Sequence, residues 1–571
     1  MMKKKHVLLC LCIQFYFWQC DSPKKEISPY TPPVMGLISQ KAMVVSAREE
    51  ASRIGSEIMQ QGGNAFDAMV ATEMALAVCY PNAGNLGGGG FMVYRTHRGE
   101  VGALDYREKA PLLSHRDMYL DQNKKYIQDK SKTGALAVGV PGTIAGIIKA
   151  HKKFGSLPMQ TILRPVILLA KNGFKITEKQ AKQFNRYSAI FKQVNQENSI
   201  YTKAFKAGDI FKNKALANTL QQISDHGRKA FYQGEIAKTL VAFLQKNNGI
   251  ISLKDLKNYQ AIWRDPIVFN YKDLRIISMS PPSSGGICMA QILKTIANYP
   301  IAQYGHNSIK TIQVLTETQR RAYADRSHYL GDPDFIDIPV DSLLNDAYLK
   351  SRMDTFSFGV ATPSKELTHG TLSQAESTET THYSIIDSYG NAIAATTTLN
   401  ASFGSKLYSK KLGFFLNNEM DDFSAKPGTP NLFGLIGGDA NSIAPQKRML
   451  SSMTPTLVEK DDKLWMTLGT PGGSTIITSV LQTILNVYEF NMSMQQAVEA
   501  PRFHHQWLPD VIKVEATSFD PRTIKKLENK GYVIDYKNAS SIGRVDAILV
   551  LPDGSLEAGA DNRGDDAAVG F

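Results

Sequence analysis

A polar stretch rich in Ser, Thr, Gly and Pro, SFGVATPSKELTHGTLSQAESTE (residues 357–379), runs directly into two β-type segments, THYSIID and NAIAATTTLN. Only Ser388-Tyr389-Gly390 separates them, with Gly390 placed for a left-handed backbone, so the pair predicts a tight hairpin. A three-residue loop sets Asp387 opposite Asn391. Continued without a bulge, that register brings Thr380, the first residue of the first strand, opposite Thr398. The polar stretch itself lacks periodicity and predicts a flexible linker. The chain therefore changes character abruptly, and it does so at a threonine with a second hydroxyl across from it.

A side-chain hydroxyl is a weak nucleophile without an adjacent base. His382 shares a strand face with Thr380, but its Cβ would stand roughly 7 Å away. No G-x-S-x-G elbow occurs, so a Ser-His-Asp hydrolase is unsupported. A nucleophile at a free N-terminus is the other solution, with its own α-amine as base. That amine has a reference pKa near ~7.7, so a useful fraction is neutral at physiological pH. It would require cleavage between Glu379 and Thr380, for which a linker abutting a strand is suited. An ordinary strand start is the plain alternative.

The rest of the chain bounds the setting. Its 571 residues, 43% hydrophobic and 21% charged, allow a sizeable core and two to four domains by length. The net charge of +12 is spread over scattered Lys and Arg, without RNA-reading or zinc-finger motifs, which points away from nucleic acid and toward anionic small molecules or solubility. MMKKKHVLLCLCIQFYFWQCDSPKKE has a basic head and an apolar run, Val7 to Trp18, too short to span a bilayer, and reads as an export signal over 1–25. Two outcomes stay open there: lipidation of Cys20, disfavoured by the bulky Trp18 and Gln19, or simple cleavage a few residues on. Cys79 and Cys288 remain as lone residues in apolar surroundings, which is no disulfide framework.

Helical spacing from Arg48 to Tyr80 predicts two helices, broken at Gly62-Gly63 and restarted by Asn64. NAGNLGGGGFMVYR has no Lys-Ser or Lys-Thr and leads into a strand, so a phosphate loop fails and close backbone packing is expected. Residues 140–260 alternate helical stretches with turns, and YKDLRIISMSPPSSGGICMAQILKTIANY reads as strand, turn and helix. No metal site is expected: His504 and His505 are adjacent, and the acids of GDPDFIDIPVD lack EF-hand spacing.

Together, TTHYSIID, GNLGGGGFM, DYREKAP, PPSSGGI, YADRSHYLGDPDF, NNEMDDFSAKPGTPN, SSMTPT, GTPGGSTIITSVLQ and APRFHHQWLPD resemble, in family order from about residue 42 to the end, the γ-glutamyltransferases. These are autoprocessing members of the N-terminal nucleophile hydrolases. The resemblance implies an α+β fold, a four-layer αββα sandwich, with a large subunit (26–379) and a small subunit (380–571) that stay entwined as a heterodimer. It implies acyl transfer from glutathione and other γ-glutamyl compounds to water or to amino acid and peptide acceptors, with no cofactor. Thr380 is then both cleavage-directing residue and nucleophile, Thr398 its supporting hydroxyl, and Gly472 and Gly473 the oxyanion hole. Arg107, Ser451 and Ser452 are implied to hold the donor's α-carboxylate. Asn400, Glu419 and Asp422 are implied to hold its ammonium, Glu419 standing where some bacterial members have Gln. KPGTPNLFGLIGGDANSIAP resembles the pocket lid, with Phe433 as its gating aromatic, which favours a small donor. The location implied is periplasmic or lipid-anchored at the cell envelope. Two competing readings are a glutaryl-type β-lactam side-chain acylase of the same superfamily, whose substrate lacks the ammonium, and an exported binding protein that never processes.

Overall fold

Alternation along the hairpin decides which way each residue faces. Thr381 pairs with Thr397 and Ile386 with Ala392 across antiparallel strands Thr381–Ile386 and Ala392–Thr398. This is the register read from the sequence, and it aligns Thr380 with Thr398 one step further. Asp387 N–H closes the turn on Asn391 O at 3.0 Å, and Gly390 takes φ 91°. Tyr383, Ile385, Ile393 and Ala395 enter one apolar core, while Ile386, Ala392 and Ala394 enter another, as a two-residue repeat requires.

The computed structural model describes residues 34–367, 380–516, 518–536 and 541–571. The proposed leader 1–25, Cys20, residues 368–379 and thus Glu379 lie outside the described residues. Two seven-stranded sheets dominate, and every pairing within them is antiparallel. One sheet is centred on the hairpin. Its outer face packs on helices that include Glu49–Gln60, Ala65–Cys79, Thr143–Phe154 and Met159–Asn172. The second sheet is covered by Gly285–Ile296, Ile309–Tyr329 and Ile476–Tyr488. This is the expected αββα sandwich. Strands from both sides of residue 380 are interleaved in both sheets, so neither half carries a complete sheet.

Local signals hold in detail. Asn64 caps the second helix, accepting from Phe66 and Asp67 N–H, with the Asp67 carboxylate returning to Asn64 N–H, a reciprocal capping box. The glycine run packs where the hairpin needs space: Gly89 pairs with Thr398, and a Cβ on Gly88 would stand 2.0 Å from Thr398 O. Cys79 and Cys288 are both free and buried in separate cores. Among the described residues no helix is long and apolar enough to cross a membrane, and no cluster of His, Cys, Asp and Glu could hold a metal.

The linker needs correction at its start. Residues 357–367 are docked. Ser364 is buried, its N–H donates to Asp510 at 2.7 Å and its carbonyl accepts from Trp507 Nε1 at 3.1 Å, while Arg320 bonds both Ser364 and Asp510. Thr362 N–H donates to Glu317 at 3.2 Å. A polar composition signals backbone free to leave regular structure. It does not reveal that buried ionic partners elsewhere will hold that backbone.

Candidate active site

The end of the hairpin opens into a narrow cleft lined by Thr380, Thr398, Asn400, Arg107, Arg326, Asp422, Phe433, Leu435, Ser451, Ser452, Met453, Gly473 and Ile476. Most residues expected to form a site thus converge from distant parts of the chain. Thr380 and Thr398 are nearly buried. Thr398 is fixed from two sides: Asn85 Nδ2 donates to its carbonyl at 2.9 Å, and its hydroxyl accepts from Asn400 N–H at 2.7 Å. With that lone pair used, the Thr398 proton is available to a neighbouring acceptor.

His382 is removed as a base. Its Nδ1 lies 2.9 Å from Thr396 Oγ1 and its Nε2 3.1 Å from Ser384 Oγ, and complete burial pushes its pKa down to about 3. It is a neutral, satisfied core side chain.

After Thr470 the chain turns through Gly472 (φ 142°) and Gly473 (φ 55°) into a short 3₁₀ turn, Gly473–Thr475, and then the helix Ile476–Tyr488. Among the described residues neither glycine N–H has a hydrogen-bond acceptor, which leaves both as donors at a helix start. Gly473 lines the cleft, and Gly472 precedes it in the chain without lining it. Phe433 lies against Gly473 so closely that a Cβ there would sit 2.4 Å from the ring.

Charge is concentrated on one side. Arg107, 1% exposed, reaches Asp422 at 2.5 Å and Glu419 at 2.5 Å. Burial works against its charge, but Glu419 and Asp422 outweigh that and hold the guanidinium protonated. Burial pushes the Asp422 carboxyl up to about 6 against the pull of Arg107. Glu419 is driven up much further, again by burial first, and does not reach the cleft wall. The expected added negative charge at the ammonium position is therefore not on the surface of the cleft, where Asn400 and Asp422 stand. Asn400 takes φ 72° and donates Nδ2 to Asn418 O at 3.0 Å, which leaves Oδ1 as its free acceptor.

The lid is tied to this acidic pair. Asp422 Oδ1 accepts from Asn431 Nδ2 at 3.0 Å, Asp421 accepts from Leu432 N–H at 2.7 Å, and Asn431 Oδ1 collects Phe433 and Leu435 N–H. Sequence reasoning missed Arg326, which sits in the quoted stretch YADRSHYLGDPDF. No local signal marks it: the helix is buried along most of its length and carries Arg320 and Arg321 as well, so what sets Arg326 apart is its place in the fold.

Comparisons with known proteins give the family. Residues 51–571 match the family model described as Gamma-glutamyltranspeptidase. A glutathione hydrolase proenzyme of Escherichia coli (strain K12) is 45% identical over 538 residues, 93% of this chain and 92% of that protein. The crystal structure of Helicobacter pylori gamma-glutamyltranspeptidase superposes with a TM-score of 0.55 at 40% identity, covering 61% of this chain and 99% of that one. A cephalosporin acylase from Bacillus halodurans gives a TM-score of 0.83 over 96% of this chain and 99% of its own, but at 24% identity it speaks to the fold alone. On the extent of these matches, the chain belongs to the gamma-glutamyltranspeptidase family.

Proposed function

We propose that the chain is an autoprocessing γ-glutamyltransferase and glutathione hydrolase, cutting itself between Glu379 and Thr380 and then working through Thr380. The observation that carries this is the convergence, in one cleft, of Thr380 and Thr398 with Arg107, Ser451, Ser452, Asn400 and Asp422. A γ-glutamyl group carries a carboxylate and an ammonium on one carbon, and the cleft offers donors and acceptors for both.

Cleavage frees the Thr380 α-amine, whose reference pKa near ~7.7 suits a general base. The Thr380 hydroxyl adds to the γ-carbonyl carbon and passes its proton to that amine, with Thr398 hydrogen-bonding the oxygen. Negative charge builds on the carbonyl oxygen, where the Gly472 and Gly473 N–H groups are the donors, each worth about 2.7–4 kcal/mol in comparable holes. The C–N bond then breaks, and the α-ammonium returns its proton to the leaving amine. A γ-glutamyl ester on Thr380 remains. Water or the amine of an amino acid or peptide attacks it, giving hydrolysis or transfer. The two products of self-cleavage, from about 26 to 379 and from 380 to 571, remain one heterodimer because their strands share both sheets. The basic, apolar leader directs export, to the periplasm or to a lipid anchor at Cys20.

Mass spectrometry of the purified protein, before and after glutathione, tests this. The expected result is two chains, the smaller starting at Thr380, and a transient γ-glutamyl mass on it. A single uncut chain in a preparation that turns over glutathione would sink the processing step. An adduct on the larger chain would sink the assignment of the nucleophile.

A further inference from the structure

Arg326 belongs to the last turn of Ile309–Tyr329, lines the cleft, and is only 4% exposed. Among the described residues it has no ion-pair partner, and burial lowers its pKa, so its charge is held at a cost. Its two fixed contacts are hydroxyls: Nε donates to Ser284 Oγ at 2.8 Å, and a terminal nitrogen donates to Ser452 Oγ at 3.2 Å. Ser284 in turn grips the same loop, its N–H and Oγ both donating to Ser451 O, at 2.8 and 2.7 Å.

The consequence is a matter of hydrogen-bond direction. A guanidinium only donates, so Ser452 Oγ is an acceptor toward Arg326. Ser451 Oγ likewise accepts from Met453 N–H at 3.1 Å. Both hydroxyl protons are left to point elsewhere, and the cleft is where both residues are exposed to a ligand. Two O–H donors beside a buried, unneutralised cation favour an anion. Arg107 alone does not supply this, because its charge is already opposed by the Asp422 carboxylate, while burial drives the neighbouring Glu419 toward its neutral acid.

We propose that Arg326 is a positioning residue for the donor's α-carboxylate: it orients the Ser452 hydroxyl, fixes the Ser451–Met453 loop through Ser284, and supplies the positive charge that the cleft's carboxylates leave uncancelled. This rests on the γ-glutamyltransferase reading. It gives a role to PPSSGGI and YADRSHYLGDPDF, to which the catalytic cycle assigns no residue.

The test compares γ-glutamyl p-nitroanilide with 4-aminobutanoyl p-nitroanilide, the same donor without its α-carboxylate, in wild type, Arg326→Met and Arg326→Lys. In Arg326→Met, KM for the γ-glutamyl donor should rise roughly 10-fold to 100-fold, the range for a lost charged hydrogen bond. For the decarboxylated donor KM, or Ki as a competitor if turnover is slow, should move less than about twofold. Arg326→Lys should recover part of the loss, since charge returns without the fork. The ratio of the two donors within one variant is independent of how much protein folds. If Met in place of Arg326 prevents self-cleavage, the same ratio in Arg326→Lys decides. An equal change for both donors, or none for the γ-glutamyl donor, overturns the proposal and leaves the wider reading standing. A wild-type protein that turns over neither donor overturns the wider reading instead.

Discussion

Arg107 holds Asp422 at 2.5 Å in the wall of the cleft. The two groups expected to receive opposite ends of one substrate therefore receive each other first. A donor must exchange this internal pair for two external ones, with its carboxylate taking Arg107 and its ammonium taking Asp422. The exchange keeps charges paired at every stage, which limits the desolvation penalty of binding. It also links binding to the lid, since the other oxygen of Asp422 holds Asn431.

Arg107→Ala should raise KM for γ-glutamyl donors far more than it slows self-cleavage, because no substrate carboxylate is present during processing. It should also cost stability, about 3–5 kcal/mol where a buried partner is left uncompensated, although protonation of Asp422 and Glu419 will relieve part of it. Denaturant titration and donor kinetics on one preparation check both. Equal damage to cleavage and to donor binding would assign Arg107 a purely structural role.

Thr380→Ala should abolish both cleavage and turnover, the latter by roughly four orders of magnitude or more, as for nucleophile removal elsewhere. Thr380→Ser should keep some of each because the oxygen remains. Gel electrophoresis and glutathione turnover read the two effects. Full cleavage of the alanine variant would show that another group cuts the chain.

The hairpin was fully legible because its information is local: a turn glycine fixes the register, and register fixes which threonines face each other. Asn64 and the helix break at Gly62-Gly63 were legible for the same reason. The layers were not visible in periodicity, and the sandwich was expected from family resemblance alone. What the sequence hid was partnership across long separations. Residues 357–367 looked like linker because nothing nearby announces Asp510, Trp507 and Glu317. Glu419 looked like a cleft carboxylate, whereas the 3₁₀ turn Glu419–Asp422 puts Asp422 on the wall and Glu419 behind it. Arg326 carries no mark in the sequence, because an arginine's worth depends on what fails to neutralise it, and that is a property of the fold.

Gly473→Ala should lower kcat for every donor. The residue has φ 55°, and its added Cβ would meet the Phe433 ring at 2.4 Å, so the lid must shift or the turn must rotate its N–H away. Loss of one oxyanion donor corresponds to about 100-fold to 1,000-fold in kcat. Pairing the change with Phe433→Ala separates the causes. Recovery in the double variant would locate the damage in the lid, and persistence would locate it in the oxyanion hole.

Donor affinity should fall as pH drops through about 6. Burial raises the Asp422 carboxyl to about 6, so below that value the residue is a neutral acid that cannot pair with an ammonium. KM for γ-glutamyl donors should rise up to about tenfold per pH unit on the acid side. The sign for stability is opposite. A carboxyl raised in the fold binds its proton more tightly there than when unfolded, so between its unfolded and folded pKa values falling pH favours the fold. Unfolding driven by this group therefore cannot mimic the loss of affinity. Asp422→Asn should flatten the profile and weaken γ-glutamyl donors by about 1.5–3 kcal/mol, the worth of a charged hydrogen bond. Glutaryl donors, which have no ammonium, should suffer much less from the substitution and show no acid limb near 6. An acid limb shared by both donor types, or one that survives in Asp422→Asn, would assign the titration to another group and return weight to the acylase reading.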